Sequence, residues 1–319
     1  MILILNILLL ILGFFFLIKG ADIFIDGASS TAQNFKVSKM LIGLTIMAFG
    51  TSAPEFAISM SALASGSSDM ILGNVIGSNI LNVLLILGIA AVIHPISIKK
   101  NTIRKELPLT MLISTVLVIL FLDVFLGNGS INQITRSDAI VILLFLAIFI
   151  YYLISLSKHK KELNEEEKPK FKLGKSLLFV LIGVVGIIIG SNLVVDNASS
   201  IASALGISQR IISLTIIAFG TSLPELVTTI VSAKKGEVDL LVGNVIGSNI
   251  FNICVVLAIP VAIFGSITTS SFEIIDLIML IGSAFLLFIF SKSSKKITRL
   301  EGTLMLVAFA VYYTLVFVI

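Results

Sequence analysis

Two glutamates stand where glutamates are costly. Residues 42–55 read IGLTIMAFGTSAPE and residues 212–225 read ISLTIIAFGTSLPE, offset by 170 and identical at 11 of 14 positions. Each copy ends on an acid, Glu55 or Glu225, inside a long apolar stretch. A carboxylate at membrane depth costs free energy unless it meets a cation or a partner, so it marks a functional site by default. Pro54 and Pro224 have no amide hydrogen and clash with the preceding turn, which predicts a broken helix in each copy. Gly50 and Gly220 loosen the same place. A break frees backbone carbonyls such as those of Ala48, Thr51, Ala218 and Thr221, and irregular backbone at that depth must be buried or line a cavity. Thr51, Ser52, Thr221 and Ser222 add hydroxyls one turn before each acid. Carboxylate, carbonyl and hydroxyl oxygens are hard ligands that suit calcium or sodium. The two acids together carry the charge that one Ca2+ balances.

A second motif repeats at the same offset, LGNVIGSNILNV (72–83) and VGNVIGSNIFNI (242–253). Ser78 and Asn82 are four residues apart and share a helix face, as do Ser248 and Asn252. These four are candidate ligands. Asn74, Asn79, Asn244 and Asn249 are expected to hydrogen-bond the neighbouring broken helix, and Gly73, Gly77, Gly243 and Gly247 to allow close helix packing. The geometry implied is a core in which the second and seventh segments give glutamates and the third and eighth give amides and hydroxyls.

The elements that must position these groups are membrane helices. The 319 residues are 57% hydrophobic and 13% charged, with mean hydropathy +1.13. That excludes a soluble domain, and the long continuous apolar runs exclude a β-barrel. Stretches of roughly 20 residues suffice to span a bilayer. They fall at about 2–33, 38–66, 70–94, 106–127, 136–157, 173–204, 208–234, 237–264, 272–291 and 297–318. The first, without a basic leader or a cleavage pattern, reads as a retained helix. The organisation expected is 1–157 as a first five-helix half, 158–172 as a charged linker and 173–319 as a second half. The acidic run at 165–167 within the linker reads as a solvated loop. Similarity extends upstream to DGASS (26–30) and DNASS (196–200), again offset by 170. An odd number of spans per half turns the second copy over, the inverted-repeat plan of secondary transporters.

The lysines test that plan. Odd-numbered loops hold 19 of the 22 basic residues. By the positive-inside rule those loops and the linker are cytoplasmic and both termini are outside. Loop 3–4 is basic while its repeat counterpart, loop 8–9, carries no basic residue. Asp26 and Asp196 read as caps or gates near helix ends, and Lys19 with Asp22, three apart, as an internal ion pair. One cysteine, Cys254, excludes an internal disulfide or a thiolate cluster and reads as a small core residue. Two histidines, His94 and His159, argue against zinc or iron. An intramembrane enzyme would need a nucleophile–base pair or metal triad, and neither accompanies the motifs.

GTSAPE, GTSLPE and the paired GNVIGSN stretches resemble the cation/calcium antiporter superfamily, within it the sodium/calcium exchangers of prokaryotic type. The resemblance covers essentially the whole chain. It implies an all-α polytopic fold of ten transmembrane helices, two inverted five-helix repeats with broken helices 2 and 7 at the centre. It implies exchange of Na+ for Ca2+ by alternating access, usually three Na+ for one Ca2+; helices 1 and 6, long and weakly polar repeat partners, are the candidates for the moving element. No cofactor, nucleic acid or obligate protein partner is implied; Ca2+ and Na+ are substrates and the setting is the plasma membrane. Carried over by position, the calcium site falls on Glu55 and Glu225 with backbone oxygens of Thr51 and Thr221. The sodium sites fall on the Ala48 carbonyl, Thr51, Ser52, Glu55 and Ser78, and on the Ala218 carbonyl, Thr221, Ser222, Glu225 and Ser248. Asn82 and Asn252 take the family's central positions. Some relatives carry Asp where this chain has Asn252, which argues against potassium co-transport. The proton-coupled branch carries an acid in the third and eighth segments, and GNVIGSN has none, which favours sodium. A proton-driven calcium exchanger and, more remotely, a cation channel are the alternatives.

Overall fold

The computed structural model describes residues 2–64, 68–126, 131–158, 168–206, 218–268 and 274–318. Helix α1 (Leu3–Phe35) is followed by a broken pair, α2 (Lys39–Thr51) and α3 (Ala53–Ala64), bent by 46°. Then come α4 (Ile71–Ile93), α5 (Leu107–Phe121), α6 (Arg136–Lys158) and α7 (Leu173–Ala204). Helices α8 (Leu223–Lys234), α9 (Val238–Phe264), α10 (Ile274–Ser294) and α11 (Arg299–Val316) complete the chain. Among the described residues, α1, α4, α6, α7, α9, α10 and α11 are long and apolar enough to cross a membrane, and the broken pair would add an eighth. Of the ten expected segments, 106–127 forms the 15-residue α5, and the first part of 208–234 lies outside the described residues, as do Arg210 and the acidic run 165–167. Helices dominate because each satisfies its own backbone groups, the condition for crossing hydrocarbon.

The chain divides into two compact units that interleave the sequence halves: Met1–Pro54 with His159–Asn244, and Glu55–Lys158 with Val245–Ile319.

In the first unit, α1 and its repeat copy α7 run antiparallel along a glycine seam. A Cβ added at Gly13 would lie 2.9 Å from Val194 N, at Gly20 2.8 Å from Ile187 N, and at Gly27 2.7 Å from Val180 N. Gly183 and Gly190 face Phe24 and Leu17 as closely. Small residues let the backbones approach where lipid supplies no hydrophobic driving force between helices. Phe24, Ile25, Met47, Ile187 and Leu240 form a buried cluster beside the seam. Charged groups collect at one end. Lys235 Nζ lies 2.8 Å from Asp22 and 2.6 Å from Asp26, Lys170 lies 2.7 Å from Asp26, and Lys39 lies 2.7 Å from Glu237. Asp22 thus pairs with a lysine 213 residues away rather than with the expected Lys19, because folding brings the turn after α8 to the flank of α1.

In the second unit, two small antiparallel pairs join loops. Strand β1 (Ile96–Ser97) pairs with β4 (Lys296–Ile297), and β2 (Gln133–Ile134) with β3 (Ile267–Thr268). Helices α6 and α11 start on matching capping boxes: Asp138 accepts from Thr135 N at 2.8 Å, and Glu301 accepts from Thr298 N at 2.7 Å. The motifs TRSD (135–138) and TRLE (298–301) extend the repeat at an offset of 163, a similarity too short to stand out in the sequence.

Candidate functional site

Both sequence copies break at the serine two residues before the proline. Ser52 (φ −84°, ψ 5°) separates α2 from α3, and Ser222 (φ −91°, ψ 5°) precedes α8. These are bridge-region values, between helix and strand, where active-site residues recur. Each proline then sits in the first turn of the following half-helix, where its missing N–H costs nothing. The carbonyl that loses its partner lies four residues earlier, Gly50 or Gly220. Ser191 of α7 donates to the Gly220 carbonyl at 2.9 Å. At the matching place on α1 stands Ala21, which has no hydroxyl. Neither glycine has room for a side chain: a Cβ at Gly220 would lie 2.2 Å from Val195 Cγ2, and one at Gly50 3.0 Å from Val184 Cγ2.

In the first unit the polar oxygens gather around Glu225, which is 1% exposed. Ser52 donates to Glu225 Oε1 at 3.2 Å. Thr51 donates to Asn244 Oδ1 at 3.2 Å, and Asn244 Nδ2 donates to Thr228 at 3.3 Å. Residues of both motif copies therefore meet here. Ala48 is fully buried, Ser222 is buried, Thr221 is half-buried, and Ala218 opens a short turn, Ala218–Gly220. Thr229 and Ser232, four and seven residues after Glu225, extend its helix face. Both are fully buried, and their hydroxyls have no hydrogen-bond partner among the described residues. Sequence reasoning passed over them, although the i, i+4, i+7 spacing from the acid was legible. Gly243 packs as expected, meeting Gly43 of α2, where its Cβ would lie 2.9 Å from Gly43 Cα.

In the second unit Glu55 is likewise 1% exposed, on the first turn of α3. Asn74 donates to the Glu55 carbonyl and to Ser59, each at 3.4 Å, so Asn74 and Asn244 do serve the broken helices. Asn79 and Asn249 do not. Each donates to the other's backbone carbonyl, at 3.2 and 3.4 Å. Asn82 donates to Asn249 Oδ1 at 3.0 Å and Asn252 to Asn79 Oδ1 at 3.1 Å. Four amides thus tie α4 to α9 with pseudo-twofold symmetry. Asn82 and Asn252 are 1% exposed, and the Oδ1 of each is buried with no hydrogen-bond partner among the described residues. A buried acceptor left so is costly, and a cation or a water would satisfy it. Each of these asparagines also starts a π-helical turn, Asn82–Leu87 and Asn252–Leu257, a distortion that recurs at functional sites. Ser78 and Ser248 are buried one turn earlier. Gly77 departs from expectation: its Cβ would meet nothing within 4 Å, so it does not serve close packing. Cys254 lies fully buried within the second π turn.

The described residues contain no group of three His, Cys, Asp or Glu side chains suited to a metal. The candidate ligands are paired motifs of hydroxyl, amide and carbonyl oxygen around single carboxylates. Broken helices, buried acids and membrane-length helices define an ion-transporting membrane protein.

The chain belongs to the sodium/calcium exchanger protein family, which it matches over residues 5–155 and 175–318. It is 37% identical over 317 residues to the putative antiporter CaxA of Alkalimonas amylolytica, covering 96% of this chain and 97% of that one. It is 30% identical to the sodium/calcium exchanger MaX1 of Methanosarcina acetivorans, covering 98% and 99%. Among solved structures, the sodium-calcium exchanger NCX_Mj soaked with Na+ and Sr2+ superposes with a TM-score of 0.84 at 33% identity, covering 97% of this chain and 98% of that one. These relatives are antiporters and exchangers rather than enzymes, and the ions of the family are substrates rather than cofactors.

Proposed function

We propose that this protein exchanges Na+ for Ca2+ across the plasma membrane of a prokaryote by alternating access. The observation that carries the reading is the pair of GTSxPE glutamates, each 1% exposed at a helix break, in a chain of the sodium/calcium exchanger family. Glu55 and Glu225 supply the charge for calcium, with backbone oxygens of Thr51 and Thr221. Sodium competes for the same acids with help from the Ala48 and Ala218 carbonyls and the hydroxyls of Thr51, Ser52, Ser78, Thr221, Ser222 and Ser248. Asn82 and Asn252 offer amide oxygens that have no hydrogen-bond partner among the described residues. Exchange of three Na+ for one Ca2+ moves one net charge and couples to about 2.3 kcal/mol per 100 mV.

The architecture that goes with this function is ten helices in two inverted halves, 1–157 and 173–319, with the linker 158–172 cytoplasmic and both termini outside. Three features support inversion. Helix α1 runs antiparallel to its copy α7. Strand β1 of loop 3–4 pairs with β4 of loop 9–10, both odd loops, while β2 and β3 join the even loops 4–5 and 8–9. The basic residues concentrate in odd loops. The glycine seam of α1 and α7 suits them as the moving element, since small residues let the two backbones lie close together.

The test is radioactive calcium uptake into proteoliposomes loaded with Na+ and diluted into Na+-free buffer, with potential and pH gradients clamped. Uptake that needs internal Na+ and falls to background in Glu55→Gln/Glu225→Gln is the expected result. Uptake indifferent to Na+ and restored by a pH gradient would make the protein a proton-driven calcium exchanger. Flux without any counter-ion would make it a channel.

A further inference from the structure

Each half of the second unit carries a tyrosine–carboxylate hydrogen bond made by residues outside the GTSxPE and GNVIGSN motifs. Tyr152 of α6 donates to Glu106 Oε1, and Tyr312 of α11 donates to Asp276 Oδ1 at 2.8 Å. Glu106 and Asp276 are repeat mates, 170 residues apart, each at the start of a helix, α5 or α10. Glu106 is 2% exposed and closes the π-helical turn Thr102–Glu106. Tyr312 is 8% exposed. The tyrosines are not sequence mates, since offset 163 aligns Tyr312 with Phe149, one turn from Tyr152. The same bond is therefore made in both halves from neighbouring turns, which points to the bond itself rather than to inherited residue identity.

What these bonds hold is specific. Helices α5 and α6 both pack on the π turn Asn252–Leu257 of α9. Phe149, fully buried on α6 and one turn before Tyr152, meets Phe251 edge-on at 6.4 Å, and Phe251 directly precedes Asn252. Helices α10 and α11 both pack on the other π turn, Asn82–Leu87 of α4. There α11 comes in at Gly302, whose Cβ would lie 2.9 Å from the carbonyl of Gly88, the residue directly after that turn. Each bond thus ties together the helix pair that backs the π turn of the opposite repeat.

We propose that Tyr152–Glu106 and Tyr312–Asp276 are positioning latches: they fix the helices that hold the two π turns, and so the direction in which the Asn252 and Asn82 amide oxygens point. A hydroxyl donating to a carboxylate is a strong, directional bond, and a π turn has no regular i→i−4 ladder to fix its own geometry. External packing must set it. The latches would act on ion exchange only through those turns.

The test uses Tyr152→Phe and Tyr312→Phe, which keep the rings, in the full-length protein, with Tyr151→Phe (Tyr151 is 74% exposed) as control. The first readout is amide hydrogen exchange. Tyr152→Phe should speed exchange in 252–257 by threefold or more and leave 82–87 unchanged, Tyr312→Phe should do the reverse, and the control should do neither. Equal acceleration of both turns, or of neither, overturns the proposal, because a merely structural hydroxyl would loosen the protein without choosing the opposite repeat. The second readout is transport. Each latch variant should raise the half-saturating Ca2+ concentration by threefold or more with maximal rate changed less than twofold, and a loss of maximal rate alone overturns it. This arm rests on the reading of Asn82 and Asn252 as ion ligands. If the wild type moves no calcium, that reading fails and the exchange pattern alone decides the latches.

Discussion

Two helix contacts in this protein are built on opposite principles. In the first unit α1 meets α7 on glycines spaced by seven, Gly13, Gly20 and Gly27 against Gly183 and Gly190. In the second unit α4 meets α9 through four asparagine side chains, each bonded to the opposite helix. A glycine seam gives close approach and broad dispersion contact with few directional bonds along it. Its directional bonds gather at one end, where Asn34 and Ser30 hold the Phe171 carbonyl. The asparagine contact fixes register at both ends of its span, because a buried amide has few acceptable partners. The first contact is close and apolar, and the one that holds candidate ligands is tied by directional bonds.

Substitutions can break that contrast. The largest effect is expected from Asn79→Ala, which removes two hydrogen bonds and strands the Asn252 amide in a buried site. It should cost about 2–4 kcal/mol, read as a lowered melting temperature, with sodium affinity weakened alongside. Next is Gly183→Ala, whose Cβ would meet Phe24 Cα at 2.6 Å. Wedging the seam should cost about 1–3 kcal/mol and slow maximal transport while ion affinity stays within twofold. If Gly183→Ala changed affinity and Asn79→Ala only turnover, the contrast would be wrong. Ser191→Ala should cost about 1 kcal/mol by uncapping the Gly220 carbonyl, making the second break resemble the first at Ala21. Its signature is a shift in sodium affinity absent from Ser200→Ala, an exposed serine on the same helix.

The smallest effect concerns the ion pairs at the end of α1. The hydrogen bond and charge of Asp26 raise the Lys170 pKa above the ordinary lysine value. A raised basic group stabilises fully below its unfolded pKa and loses that stabilisation as pH rises through the folded one. Lys170→Ala should therefore lower the melting temperature slightly at neutral pH, and the difference from wild type should vanish at strongly alkaline pH and in high salt.

The helix breaks were legible in the sequence because their cause is local: Pro54 and Pro224 act on the residues just before them, and the structure puts the breaks at Ser52 and Ser222. Burial of Glu55 and Glu225 was legible from the apolar runs around them. The partners of the asparagines were not. Asn74 and Asn79 lie in one heptapeptide, yet one serves a broken helix and the other crosses to α9. Their separation along the helix turns them to different neighbours, and which neighbour stands there is a tertiary fact. The expected ion pair of Lys19 with Asp22 failed for the same reason, as a residue 213 positions away arrived first.

By itself the sequence determined that two acids lie in broken apolar segments among hard oxygen donors, repeated once. Only the tertiary structure decided that four asparagines lock α4 to α9, that Ser191 caps one break while Ala21 stands at the other, and that Tyr152 and Tyr312 reach acids 46 and 36 residues away. Proline geometry and hydropathy are written in neighbouring residues, whereas a hydrogen bond depends on which donor folding carries within about 3 Å of which acceptor.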